Sequence, residues 1–345
     1  PPMIHPLRIG VAGAGSIGAY LGARLAADGH GVILLGRQRL ADAVAEQGVR
    51  VTDLNGLDEQ VQPDSIRVVT EPAGLDGCDI IFVTTKSHDT QAMAESIAPH
   101  VTDGATVVSF QNGVRNPDTL RKALPQAQVL AGMVPYNVVW AGPAHFHQGT
   151  SGSLVLEQRE DAEHLAQTIA DACNAAGLPA GLNPRIQAVQ WGKLVINLNN
   201  ATNALSGIPL QQQLADRDYR RVTAAAQREA LAMIRGAGLA VRSSGKLLPT
   251  LMPTVLDCPD WLFRLVAGGM VKIDPQARSS MWEDLNRGRK TEIDYLNGEI
   301  LRLAEQIGRP APVNTAICRL IQQAEADRAP PNLTATALLQ KIGVS

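Results

Sequence analysis

The segment Gly13-Ala14-Gly15-Ser16-Ile17-Gly18 constrains this chain more than any other. It follows a short apolar run, Leu7 to Ala12, and opens an apolar, helix-patterned stretch, Ser16 to Asp28, that Gly29 ends. Glycines at that spacing between a strand and a helix have three uses: the first makes the tight turn, the second lets backbone approach a pyrophosphate, and the third allows the helix to lie close on the strand. A phosphate then sits at the helix start, where N–H groups without intrahelical partners and the helix dipole favour an anion. Glycine-rich packing turns share the pattern, and the β-α context is what makes it a dinucleotide fingerprint. The end of the second strand, Gly31 to Leu35, selects the cofactor. Leu35-Gly36-Arg37-Gln38-Arg39 offers no carboxylate to a ribose hydroxyl but carries two guanidinium groups. A carboxylate repels a 2′-phosphate, whereas arginine binds one bidentately, so NADPH is expected.

At 345 residues the chain exceeds the usual single-domain size. Its first half alternates apolar runs with helical patterns, the signature of β-α-β units. Asp79 to Thr84 and Ala105 to Phe110 are continuously apolar, as strands buried on both faces are. After Val129 come strand-like pieces without intervening helices, through Gly152 to Leu156, which read as added antiparallel strands. A helix over about Ala162 to Ala175 ends at Gly177. From Ile186 onward strand signals disappear. Helices are expected over Ile186 to Asn200, Arg217 to Ala237 and Glu292 to Ile307, the last with Ile293, Leu296, Ile300, Leu303 and Ile307 at helical spacing. The Pro and Gly residues of Leu178 to Pro184 mark the boundary. The fold class is thus α/β: an N-terminal Rossmann-type parallel-sheet domain over 1–183, binding NADPH, and an all-helical substrate domain over 184–345. Pro1 to Pro6 reads as a disordered lead-in, and the chain closes on a turn at Ala329-Pro330-Pro331.

Composition narrows the function classes. Net charge is −2 and aromatics are 3%, which leaves neither a basic footprint nor stacking platforms for nucleic acid. Cys78, Cys173, Cys258 and Cys318 lie far apart, which suits reduced cysteines better than a zinc site or a disulfide framework. His145-Phe146-His147 puts both imidazoles on one strand face, read as a solvated face because no third metal ligand stands nearby. Val11 to Leu25 is too short and too punctuated by Gly and Arg24 to span a membrane. No leader of a charged stretch, an apolar run and a small-residue site is present. A soluble, cytoplasmic protein is expected, with no metal.

Two loops leave the carboxyl ends of sheet strands, where open α/β sheets bind ligands: Thr85-Lys86-Ser87 and Gln111-Asn112-Gly113-Val114. Lys86 can face a cofactor phosphate or ribose, or simply solvent. Asn112 can bond near a nicotinamide, or cap its turn. In Trp191-Gly192-Lys193-Leu194-Val195-Ile196-Asn197, Lys193 and Asn197 lie one helical turn apart on one face of an apolar helix. An ammonium there is costly without a partner or a purpose. Ketone reduction supplies one, since negative charge grows on the carbonyl oxygen and a cationic acid can stabilise it and donate a proton. The plainer alternative is a lysine that snorkels to water. Ser280 with Glu283 reads as a capping box, or as a hydroxyl and helix start that hold a substrate carboxylate. Glu292 reads as the start of a helix, where the dipole favours a carboxylate.

These motifs, taken in order, resemble the ketopantoate reductase family. The glycine fingerprint, the Lys after Asp-Ile-Ile-Phe-Val-Thr-Thr, Gln-Asn-Gly-Val, Trp-x-Lys-x-x-x-Asn, and Ser-Ser-Met with Thr-Glu-Ile-Asp-Tyr-x-Asn-Gly span Leu7 to about Glu325. The resemblance implies a cytoplasmic enzyme of pantothenate biosynthesis that reduces 2-dehydropantoate (ketopantoate) to pantoate with NADPH. It makes Lys193 the general acid and Glu292 an assistant in catalysis and binding. Asn112, Asn197 and Ser280 would hold substrate. Gly13, Gly15, Ser16, Ile17, Gly18, Arg37, Lys86, Asn112 and Glu292 would contact cofactor. Family members are often dimers, so a homodimer is implied as well. Ala201 departs from the pattern, in which a second Asn eight residues after the Lys helps bind the substrate's terminal hydroxyl. Asn200 and Asn203 flank it, and on a helix they are expected to point elsewhere. Two other readings stay open: a sibling oxidoreductase acting on another 2-oxo or D-2-hydroxy acid, and a non-catalytic NADPH-binding sensor.

Overall fold

Strand and helix form around the glycine turn as its sequence dictates: β1 (Arg8–Ala12) runs into α1 (Ser16–Ala27), whose C-cap Asp28 is followed by Gly29 at φ 93°. The structure is a computed structural model that describes residues 6–243, 245, 248–267 and 273–344. Most of the proline-rich lead-in, residues 1–5, lies outside the described residues. The chain divides into two compact units, Pro1–Gln187 and Ala188–Ser345.

In the first unit the chain continues through β2 (Gly31–Leu35), α2 (Gln38–Gln47), β3 (Val49–Asp53), β4 (Asp58–Val61) and β5 (Ile66–Val69). Next come β6 (Ile80–Val83), α3 (Thr90–Ile97), β7 (Thr106–Ser109), α4 (Asn116–Ala123) and β8 (Gln128–Met133). It closes with β9 (Val138–Gly142), β10 (His145–Gln148), β11 (Leu154–Glu157), α5 (Glu163–Ala175) and β12 (Ala180–Asn183). Eight strands form one sheet in the order β12-β11-β8-β7-β6-β1-β2-β5. Pairing is parallel from β8 to β5, while β11 joins β8 antiparallel and β12 joins β11 parallel. From β1 the chain builds outward through β2 to β5, then returns to add β6 on the other side of β1. The strand order therefore reverses between β1 and β6, and a crevice at the carboxyl ends of strands opens at such a point.

Side-chain alternation fills both faces of this sheet. Ile9, Val11, Val32, Leu34 and Phe82 join one apolar cluster, while Ala12, Ile33, Leu35, Ile81 and Val83 join the other. Burial on both faces is why these strands read as unbroken apolar runs rather than alternating ones. Antiparallel pairs do form after Val129, but they divide between two sheets: β11 joins the main sheet against β8, while β9 and β10 pair with each other in a second sheet, ordered β4-β3-β10-β9, in which β10 lies parallel to β3. Val49, Val51, Val61 and Phe146 of this sheet share a cluster with Tyr20, Leu21 and Leu25 of α1. The helix is thus covered on two sides, which accounts for its nearly all-round apolar character.

The second unit is helical: α6 (Ile186–Asn197), which begins two residues before the unit, then α7 (Asn199–Ser206), α8 (Leu210–Ala215), α9 (Arg217–Gly236), α10 (Met252–Asp257), α11 (Asp260–Ala267), α12 (Ser280–Asn286), α13 (Asn297–Gln306), α14 (Pro312–Asp327) and α15 (Ala335–Ile342). Among the described residues no strand follows Asn183. Three expectations need correction. The helix read as Ile186 to Asn200 is two helices, because the chain tightens at Leu198, whose N–H is shared between the Leu194 and Val195 carbonyls. The helix read from Glu292 begins only at Asn297, after a 3₁₀ turn at Ile293–Tyr295 and a non-helical Leu296 (φ −112°, ψ −95°). The chain also does not close on the turn at Pro331: Thr334 caps α15 by accepting the Ala337 N–H at 3.3 Å.

α9 is the long element of this unit. Asp216 caps it, with Oδ1 accepting the Asp218 N–H at 2.8 Å. Its Arg220 is completely buried and donates to the Leu214, Leu256 and Cys258 carbonyls and to Asp260, all at 2.8 to 2.9 Å. Burying a guanidinium is tolerable only with its donors matched in this way.

Candidate active site

The glycine turn shows a distinct environment at each glycine. Gly13 takes φ +95°, open to glycine at little cost, and a Cβ there would collide with Thr85. A Cβ at Gly18 would strike the Thr84 hydroxyl and approach Val11 Cγ1 to 2.8 Å. At Gly15 a Cβ would meet nothing within 4 Å. The outer glycines are thus demanded by packing, and the central one fronts open space at the α1 N-terminus, with Ser16 and Ile17 in the first turn. That is the shape a pyrophosphate needs, and no acidic residue stands in that turn to repel it. Arg37 follows at the exposed N-terminus of α2, just past the end of β2. Arg39 is drawn elsewhere, its guanidinium 5.9 Å from the centre of the Trp140 ring.

The loop after β6 is bound to this turn, since Thr84 Oγ1 donates to the Gly13 carbonyl at 2.8 Å. It is also bound to the loop after β7 by a buried neutral network. Gln111 Nε2 donates to Thr90 Oγ1 (2.7 Å) and to the Thr85 carbonyl (3.0 Å). Thr90 Oγ1 donates to Asn116 Oδ1 (2.8 Å), and Asn116 Nδ2 reaches Ser87 Oγ (2.9 Å) and the Asn112 carbonyl (2.7 Å). Ser109 Oγ holds the other end of Gln111 at 2.9 Å. Lys86 and Asn112 sit partly buried on the two loops so joined. The reading from sequence named neither Thr90 nor Asn116. The available signal was a cluster of small polar residues directly after two unbroken apolar strands.

In the second unit, Lys193 and Asn197 lie on the partly accessible side of α6, while Leu194, Val195 and Leu198 are buried. Burial lowers the Lys193 ammonium from 10.5 to about 8, and the Glu292 carboxylate beside it works in the opposite direction. Glu292 is itself only 8% exposed. It is held in place through its neighbour: the Thr291 N–H and hydroxyl both donate to Glu325 Oε1, at 2.7 and 2.6 Å. Glu292 precedes a 3₁₀ turn and not an α-helix, so the dipole argument for it lapses, and its charge serves Lys193 instead.

The capping serine is Ser279, not Ser280. Ser279 is buried with extended backbone, its Oγ accepts the Trp282 N–H at 3.1 Å, and it donates to the Asn200 carbonyl at 3.0 Å. Its N–H is received by Asn203 Oδ1 at 2.8 Å. Ser280 is consequently the first residue of α12, and it is exposed, with a hydroxyl not used as the cap. Glu283 is not part of a box and lies 3.6 Å from Arg287 instead. His145 and His147 do share a strand face, but not a simply solvated one: both ring nitrogens lie 2.8 Å from Thr52 Oγ1. Among the described residues no group of three or more His, Cys, Asp or Glu converges as a metal site, the four cysteines are free, and no helix is long and apolar enough to cross a membrane.

The model of the family described as ketopantoate reductase PanE/ApbA matches residues 9–161, and that of its C-terminal part matches residues 185–325. The chain belongs to the ketopantoate reductase family. A PanE/ApbA family ketopantoate reductase from Ralstonia eutropha JMP134 superposes with a TM-score of 0.78 at 30% identity, over 93% of this chain and 99% of that one. The 2-dehydropantoate 2-reductase of Archaeoglobus fulgidus is 27% identical, over 92% of this chain and 98% of that protein. A D-mandelate dehydrogenase with NADH and anilino(oxo)acetate shares the fold at 20% identity and a TM-score of 0.77, over 93% of this chain and 99% of that one. Membership in the ketopantoate reductase family makes the protein an oxidoreductase acting at a CH–OH carbon with a nicotinamide cofactor.

Proposed function

We propose that the protein reduces ketopantoate to pantoate with NADPH, residues 1–183 serving the cofactor and 184–345 the substrate. The observation that carries the reading is Lys193, an ammonium set among apolar neighbours on α6 with a buried carboxylate beside it. A snorkelling lysine has no use for either feature. The cofactor, held by Gly13, Gly15, Ser16, Ile17 and Gly18, supplies hydride to the 2-oxo carbon. Arg37 supports NADPH over NADH, because it is exposed where the ribose 2′-phosphate would lie. Lys86 contacts phosphate or ribose, and Asn112 bonds near the reacting carbonyl. Asn197 and the Ser280 hydroxyl hold the substrate. Lys193 Nζ donates its proton to the carbonyl oxygen as the C–H bond forms, so carbon gains hydride and oxygen gains the proton. Glu292 keeps that ammonium charged and orients it.

Ala201 favours a second reading, in which the substrate is another 2-oxo acid without a terminal hydroxyl. Its side chain is a methyl and is fully buried. Turnover of NADPH and NADH against a panel of 2-oxo acids tests both readings. Lys193→Ala should lower kcat by about a hundredfold or more, the scale of a positioned acid, with cofactor affinity unchanged. Undiminished kcat with collapsed cofactor affinity would make Lys193 a phosphate contact, and no turnover of any acid would leave only a dinucleotide-binding sensor.

A further inference from the structure

The geometry points to Asn200 as the side chain that receives a hydroxyl at the far end of the substrate, in place of an amide at position 201. This inference rests on the reductase reading above. Leu198 separates α6 from α7 but keeps helical backbone (φ −59°, ψ −20°), and its N–H still reaches the Leu194 carbonyl at 3.1 Å. The two helices are therefore close to one continuous spiral, and positions on them can be compared by angle. At 3.6 residues per turn, Asn197 lies about 40° from Lys193, Asn200 about 20° to the other side, and Ala201 about 80° away. Asn200 thus points about 100° away from position 201, as expected, but in doing so it falls on the Lys193 face, with Ala201 at the margin of that face.

Burial follows the same angles. Lys193, Ile196, Asn197 and Asn200 are all partly accessible, whereas Leu194, Val195, Leu198, Ala201 and Thr202 are buried. The neighbouring amides are occupied by the fold. Asn199 exchanges bonds with Gln213 at 3.0 and 3.2 Å and lies 2.9 Å from Thr223 Oγ1. Asn203 is fully buried, donating to the Ile208 carbonyl and accepting the Ser279 N–H. No hydrogen bond among the described residues involves the Asn200 carboxamide. Its backbone carbonyl, however, accepts the Ser279 hydroxyl at 3.0 Å, which places Asn200 next to Ser280. Lys193, Asn197 and Asn200 therefore share one face of this helix pair, and the start of α12, where Ser280 stands, is bonded to the backbone at Asn200. A carboxamide offers a donor and an acceptor, so it can satisfy both roles of an alcohol.

Two acids with the same carbon skeleton test this: ketopantoate, and trimethylpyruvate, which lacks the terminal hydroxyl. Each is assayed for kcat/KM with the unmodified protein, Asn200→Ala and Asn200→Ser, and unfolding temperature is recorded for all three. The expected result is an unmodified protein that prefers ketopantoate, and an Asn200→Ala variant that loses about tenfold on ketopantoate and nothing on trimethylpyruvate. Asn200→Ser, which keeps a shorter hydroxyl, should recover part of that loss. Equal losses on both acids, or none on either, would overturn the assignment. So would an unmodified protein that prefers trimethylpyruvate, although ketone reduction would then stand. If neither acid is reduced, the reductase reading fails first and this one with it.

Discussion

The proposed role of Lys193 as proton donor predicts a pH dependence that an ordinary lysine would not give. Burial brings its ammonium from 10.5 to about 8, so taking the charge into this site costs about 3 kcal/mol relative to water. The acid must be protonated to donate. Turnover should therefore be nearly full below about pH 7, be halved near pH 8, and approach a tenfold fall per pH unit above about pH 9. At pH 9 roughly a tenth of the protein would hold the proton, against nearly all of it for a lysine at its ordinary value. Glu292 sharpens the test because its carboxylate raises Lys193 against the burial that lowers it. Glu292→Gln removes that support and should move the alkaline limb to lower pH. The assay is the initial rate of NADPH oxidation at saturating 2-oxo acid between pH 6.5 and 10, with deuterated NADPH confirming that hydride transfer limits the rate. A rate that stays flat to pH 10, or a limb that moves upward in Glu292→Gln, would refute the reasoning.

Cofactor choice should turn on one guanidinium: Arg37→Asp should cut the preference for NADPH over NADH by about 2 kcal/mol, read from the ratio of the two kcat/KM values, and equal use of both by the unmodified protein would remove the argument. The glycine turn predicts a contrast. Gly15→Ala should keep its melting temperature and lose NADPH affinity, because its Cβ enters only the open space before α1. Gly18→Ala should lose about 1–3 kcal/mol of stability, because its Cβ presses on Thr84 and Val11. Matching melting temperatures would undo that contrast.

The sequence exposed the elements whose own side chains cover them. β2 lies over the residues read for it, Gly31–Leu35, because an apolar run buried on both faces has sharp ends. β3 and β4 were missed because Val49–Asp53 and Asp58–Val61 carry charges on their open side: Arg50 pairs with Asp58 across the two strands at 2.8 Å. α7 (NNATNALS) reads as polar, yet Thr202, Asn203 and Ser206 are buried in it with their hydrogen bonds met, a state that depends on partners distant in sequence. Lys193 and Asn197 were legible because polar groups interrupt an apolar helix. The exchange of Ser279 for Ser280 was not, since adjacent serines differ only in which one the tertiary structure buries.

The network that ties the loops after β6 and β7 uses the side chains of Ser87, Thr90, Ser109, Gln111 and Asn116, and none of these ionises. Its strength is accordingly indifferent to acidity, and its buried members are beyond the reach of dissolved salt. Titrating Lys193 on α6 therefore leaves these ties, and the positions they give Lys86 and Asn112, as they were. A rate lost in alkali is then not lost through these two loops, and a return to neutral pH should find them unchanged.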